Sequence, residues 1–171
     1  MASREIIIIG HPTLAAKAEP VKDIDGEIVR LAKDMVETLH GAPGIGLAAP
    51  QVDVGKRLIV VDLSVGKNKD DLIVLANPEI IGRESKALGE EGCLSVPDIR
   101  DKVSRPYWVK VRGLDLEGNV IDIEAEDLLA RVLCHEVDHL DGILFVDRLS
   151  PLKRGLIKKK LRKSAGDAKR A

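Results

Sequence analysis

Ala130-Arg131-Val132-Leu133-Cys134-His135-Glu136-Val137-Asp138-His139-Leu140-Asp141-Gly142 is the stretch whose reading decides the fold. Leu128, Leu129, Val132, Leu133, Val137 and Leu140 make it apolar on most sides, which predicts a helix buried on most of its circumference. Glu126 or Asp127 can cap its start, and Gly142 ends it. Residues of a helix turn by about 100°, so His135 and His139 stand about 40° apart on one face, one turn from each other. Both can hold one metal ion. Glu136 lies about 100° from His135 and about 60° from His139, beside the ion rather than on it, placed to move protons for a water bound there. The competing reading is a surface helix with two solvated histidines. The flanking apolar residues oppose it, because two imidazoles and a carboxylate inside a buried helix need partners.

Around this helix, 171 residues suit one domain spanning 1–171, large enough to bury a core without disulfides. Cys93 and Cys134, with no secretory signal, point to a reducing compartment and to thiols available as ligands. Four isoleucines, Ile6 to Ile9, are too few for a membrane span, so a cytoplasmic protein is expected. The net charge of −1 is unevenly spread: residues 151–171 hold nine Lys or Arg and one Asp, +8, which leaves −9 on the rest. The tail is the part with a use for an acidic partner.

Upstream, Ile6–Ile9 reads as a short strand or extended segment before Gly10 and Pro12. Ile28, Leu31, Ala32, Met35, Val36 and Leu39 recur at helical spacing, with Asp23 or Asp25 as N-cap and Gly41 just past the end. His40 closes this amphipathic helix, and no chemical role is assigned to it. Gly41 to Gln51 is a run of small residues; without GK[ST] or a helix-opening GxGxxG it is a poor phosphate loop, but its backbone can approach a ligand closely. Leu58–Leu63 and Leu72–Ala76 read as core strands, and Glu79–Gly82 leads toward another short one. Glu90–Pro97 reads as a turn ending at the proline. Residues 107–112 and 121–126 alternate as a β-hairpin about Gly118-Asn119. After Pro151 a second amphipathic helix is expected, with Leu152, Leu156, Ile157 and Leu161 on one side and fraying from Ser164 to Ala171. Together these elements predict an α+β fold: short antiparallel β-sheets around a central buried helix, flanked by an N-terminal amphipathic helix and a C-terminal helix.

A catalytic site of this kind takes three protein ligands and leaves one position open. The metzincin pattern HExxHxxGxxH holds as far as Gly142, then presents Phe145 where the last histidine belongs, which excludes that class. Thermolysin-like enzymes use a later glutamate, and none follows Glu136. Cys134 points about 140° from His139 and cannot share its ion. Asp138 is placed behind the ligands or at the surface. Cys93, on a separate glycine-flanked turn, is the best remaining donor.

Three motifs then fall in one order: GIGLAAPQ at Gly44–Gln51, EGCLS at Glu91–Ser95 and HEVDHLDG at His135–Gly142. The chain resembles the bacterial-type, class 1-like peptide deformylases over nearly its whole length. It departs from many members at Ala15 and at Cys134, where they have Arg and Gln. The resemblance implies a metallohydrolase that removes the N-formyl group from the formylmethionine of nascent polypeptides and releases formate. It implies Cys93, His135 and His139 as ligands, Fe(II) as native ion with Zn, Ni or Co able to replace it, and Glu136 as general base and acid. Gln51 and the backbone N–H of Leu94 become the oxyanion donors, and Glu91 an orienting carboxylate near the EGCLS turn. Substrate is expected to lie extended along Ile45-Gly46, with Leu128, Val132, Ile45 and Leu94 lining a slot for the methionine. Arg131 flanks that slot and is expected to send its head to solvent or to a carboxylate; Arg100 is a candidate for the substrate backbone. The implied partners are N-formylmethionyl nascent peptides and, through the basic C-terminal helix, the ribosome; neither membrane nor DNA is implied. Compartment follows as cytoplasmic in a bacterium, or an organelle after processing. The rival readings are a hydrolase of the same scaffold acting on another N-acyl group, a structural metal module, and an inactive homologue that binds ribosomes.

Overall fold

A computed structural model describes residues 2–170, with the backbone alone described over 164–170. In chain order the helices are α1 (Pro12–Ala15), α2 (Gly26–His40), α3 (Asp127–Leu140) and α4 (Pro151–Arg170). The strands are β1 (Gly46–Ala48), β2 (Leu58–Val61), β3 (Ile73–Glu84), β4 (Ala87–Cys93), β5 (Val96–Arg105), β6 (Trp108–Leu114) and β7 (Val120–Glu126). Five strands form an antiparallel sheet in the order β1-β2-β3-β6-β7, and β4 with β5 forms a separate two-stranded sheet. This is the expected α+β architecture.

Strand alternation divides the core between the helices. Ile59 and Val61 of β2 face α3, in a cluster with Leu75, Val109, Val111, Val132, Leu133 and Leu140. Leu58 and Val60 face the other way, onto Leu31, Met35 and Leu39 of α2. Burying side chains such as Met35 and Leu39, both fully inaccessible, stabilises the fold by roughly 1.5–3 kcal/mol each. The cap of α2 is Asp25, whose side chain accepts from the Ile28 N–H at 3.0 Å. Ile6–Ile9 is extended without joining a sheet; Ile7 N–H donates to Gln51 O and Ile9 N–H to Ser95 O. A third cluster joins Val96, Ile99 and Val103 of β5 to Phe145, Val146 and Leu149.

Three local readings change. Leu72–Ala76 and the short strand expected after Glu79 are one element, because β3 runs through Pro78: Asn77 takes φ 50°, and a register shift between Ala76 and Glu79 sets Asn77 and Pro78 in a bulge. The Asn77 side chain holds that bulge by bonding the backbone N–H and carbonyl of Val21. Glu90–Pro97 is not a turn closed by proline but the tip of the β4–β5 hairpin. Its register passes from Cys93↔Val96 to Gly92↔Arg100, so Pro97 stands in a bulge where no ladder donor is needed. In α4, Ile157 and Leu161 pack on the third cluster, whereas Leu152 and Leu156 face solvent at 74% and 61% exposure. The four leucines and isoleucines therefore do not share one face. The backbone expected to fray from Ser164 is instead helical as far as Arg170; Ala171 lies outside the described residues.

Candidate metal centre

Helix α3 buries Ala130 through Leu140 without interruption, His135, Glu136 and His139 included. The β4–β5 tip brings Cys93 to its face. One ligand atom each from Cys93, His135 and His139 lies within 4.8 Å of the others. Cys93 Sγ is 3.4 Å from His139 Nε2, which is 3.2 Å from His135 Nε2. Three donor atoms this close suit one ion bound by a thiolate and two imidazoles. Cys134 is buried away from the triad, and burial pushes its thiol pKa up, which makes it an inert core residue.

The orientation of His135 is fixed from behind. Its Nδ1 is 2.9 Å from Glu91 Oε1, leaving Nε2 to face the other ligands. Glu91 is buried, yet it also accepts two bonds from Arg105 at 2.9 Å and one from Arg131 at 2.8 Å. Burial alone would raise its pKa; the bonds from His135 and Arg105 outweigh it and hold the carboxyl down at about 2. Arg105 continues to Asp138, which also accepts from Nε and Nη2 of Arg148. Asp138 is thus buried behind the ligands rather than set at the surface. Phe145, the residue that breaks the metzincin pattern, stacks on the His135 ring with centroids 6.1 Å apart.

Glu136 is buried and its Oε1 has no hydrogen-bond partner among the described residues; the nearest base is His139 Nε2 at 4.0 Å. Burial pushes this carboxyl up to about 7. Its approach depends on Gly46, where a Cβ would lie 2.5 Å from Glu136 Oε2 and 2.9 Å from Val132 Cγ1. Gln51 is also buried. Its carbonyl accepts from Ala48 N–H at 2.9 Å, and its amide points toward Cys93 Sγ at 3.6 Å and Ser95 Oγ at 3.1 Å. Gly46, Gln51, Cys93, Val132 and Glu136 line a cavity of about 490 Å³.

The chain matches the model of the polypeptide deformylase family over residues 3–155. The chain belongs to this family. It is 50% identical over 163 residues to a peptide deformylase of Acidobacterium capsulatum, covering 95% of this chain and 96% of that one. A peptide deformylase of Thermodesulfovibrio yellowstonii is 52% identical over 162 residues, covering 95% and 98%. Among solved structures, a peptide deformylase from Legionella pneumophila superimposes with a TM-score of 0.91 at 43% identity, over 99% of both chains.

Ile45, Gly46, Leu94, Val132 and the half-exposed Leu128 border the cavity, with Glu91 and Arg100. Arg100 stands at the rim, its Nε 2.6 Å from Glu90. Arg131 also borders the cavity, but its guanidinium turns into the hairpin, to Glu91 and not to solvent. Sequence reasoning passed over Ser95, Arg105 and Arg148. Ser95 lies inside EGCLS beside Cys93, a signal within the motif; Arg105 and Arg148 are two of 27 basic residues, and nothing local singles them out.

Proposed function

We propose that Cys93, His135 and His139 hold one divalent metal ion, and that Glu136 moves protons there during removal of the formyl group from N-formylmethionyl nascent peptides, releasing formate. The observation that carries this reading is the convergence of three ligand atoms within 4.8 Å beside an unpartnered, buried Glu136 oxygen. A structural site would need neither that oxygen nor the Gln51 amide. When bound, the ion supplies Lewis acidity and lowers the pKa of water toward about 7. Glu136 Oε1 takes the proton from the attacking water and delivers it to the departing amine nitrogen. Gln51 Nε2 and the Leu94 N–H donate to the formyl oxygen as charge develops on it. Glu91 keeps His135 turned with Nε2 toward His139, where the two imidazoles would hold the ion. The thiolate and imidazole donors accept Fe, Zn, Ni or Co, and the family resemblance favours Fe(II) as native.

The peptide lies along Gly46. Strand β1 is an edge of the five-stranded sheet, so an extended chain can add to it through backbone bonds that read position and little sequence. The methionine side chain fills the apolar slot of Ile45, Leu94, Leu128 and Val132, and Arg100 bonds the peptide backbone at the rim. All of this is carried by one catalytic domain of residues 1–171. A cytoplasmic location is supported by two free cysteines and by the lack, among the described residues, of a helix long and apolar enough to cross a membrane. The exposed lysines of α4, Lys158 to Lys160 among them, supply a contact for ribosomal RNA.

Formate release from formyl-Met-Ala-Ser, against deacylation of acetyl-Met-Ala-Ser, tests the function in metal-loaded protein kept anaerobic. Turnover of the formyl peptide alone is expected. Equal turnover of both moves the chain to another N-acyl hydrolase, and turnover of neither removes the enzymatic reading.

A further inference from the structure

Arg131 stands on α3 one turn before His135 and is buried to 9% exposure. Its guanidinium is spent on the β4–β5 hairpin. Nη1 donates to Val103 O at 2.7 Å, to Gly89 O at 3.3 Å and to Glu91 Oε2 at 2.8 Å, while Nη2 donates to Ala87 O at 2.8 Å. Val103 is the cross-strand partner of Gly89, so one side chain of the metal-bearing helix binds both strands of the hairpin that carries Cys93 at its tip.

A second observation points the same way. A Cβ built on Gly89 would fall 2.8 Å from both Cζ and Nε of Arg131 and 2.9 Å from Nη2. The guanidinium lies flat on the strand where only glycine leaves room. Strand pairing does not hold this hairpin in place, because β4 and β5 pair with each other and with no strand of the larger sheet; one backbone bond, from Ile9 N–H to Ser95 O, ties its tip to the N-terminal segment rather than to α3. A lone two-stranded hairpin is marginal in water. Its placement on α3 therefore depends on side chains that cross between them.

We propose that Arg131 is a positioning residue for the metal centre, setting the reach of Cys93 toward the histidine pair, with Gly89 as the cradle that admits it. The inference rests on the ligand set proposed above. His135 and His139 share one helix and keep their spacing without Arg131; Cys93 reaches them only through the hairpin. The peptide edge at Gly46 belongs to the other sheet, but Leu94 and Arg100 ride on the same hairpin as Cys93, so loss of Arg131 should lower kcat and raise KM together, with the loss of metal retention as its distinguishing sign.

Full-length Arg131→Met, Arg131→Lys and Gly89→Ala proteins test this after loading with zinc or cobalt. In Gly89→Ala the new methyl meets the end of a flexible side chain, so the strand should survive while the guanidinium is displaced. Metal transfer to a chelator is expected to accelerate by roughly 10–100-fold in Arg131→Met and Gly89→Ala. Arg131→Lys should fall between these and wild type, since one ammonium cannot span four acceptors. The cobalt–thiolate absorption should weaken in the same order. Release at the wild-type rate in the folded variants overturns the proposal. Failure of all three to fold also overturns it, assigning Arg131 to stability. A wild-type protein that binds no metal would instead refute the ligand set itself, a distinguishable result.

Discussion

Glu91 Oε1 lies 2.9 Å from His135 Nδ1, and the same carboxylate neutralises two buried guanidiniums, those of Arg105 and Arg131. Removing it leaves both cations without their shared anion inside the protein. Glu91→Ala should therefore lose about 3–5 kcal/mol of stability, the range for breaking a buried ion pair from one side. Denaturant unfolding of the metal-free protein measures this, and a loss below about 1 kcal/mol, the scale of an exposed pair, would show that the network contributes little. Glu91→Gln keeps an acceptor for His135 and should lose less.

Gly46 and Glu136 make a second testable pair. A methyl at position 46 would sit 2.5 Å from Glu136 Oε2, so Gly46→Ala should displace the carboxylate proposed to carry protons without touching Cys93, His135 or His139. A fall in kcat of about 10²-fold is expected from misplacement of this size, with full metal occupancy by elemental analysis. Glu136→Ala should likewise retain metal and lose deformylation by ~10²–10⁴-fold. Normal turnover in Glu136→Ala would end the assigned role.

Asp62 supplies a pH prediction. Its buried carboxylate accepts from the Ser64 N–H and hydroxyl, the Gly66 N–H and His40 Nε2. Burial opposes ionisation, but these bonds prevail and hold the pKa below the usual carboxylate range. A pKa depressed on folding means stability present above the unfolded value, about 3.9, and lost as pH falls through the folded value. The unfolding free-energy difference between wild type and Asp62→Ala should be full near neutral pH and shrink steadily on acidification below about pH 4. A difference that grows on acidification would contradict the assignment.

Lys158, Lys159 and Lys160 are exposed on α4, while Ile157 and Leu161 beside them anchor the helix. Replacing the three lysines by glutamine removes charge without stripping the apolar cluster, as truncation at Ser150 would. Ribosome co-sedimentation should weaken, and its dependence on salt should become shallower by about one phosphate contact for each lysine engaged. Unchanged binding would overturn the proposed contact through α4.

The sequence by itself carried what local chemistry decides. The capped α2, the β6–β7 hairpin and the buried α3 follow from periods of 3.6 and 2 and from turn residues, because neighbours in sequence set those patterns. The i, i+4 spacing alone places His135 and His139 on one face of a helix. Other features depended on partners far along the chain. Pro78 stays in a strand because Asn77 reaches Val21 across 56 residues. Leu152 and Ile157 differ in burial because only one side of α4 meets the third cluster. Above all, the distance from Cys93 to the histidines is a tertiary quantity. It is decided by where the β4–β5 hairpin docks on α3, through Glu91, Arg105 and Arg131, and no spacing within the chain encodes that contact.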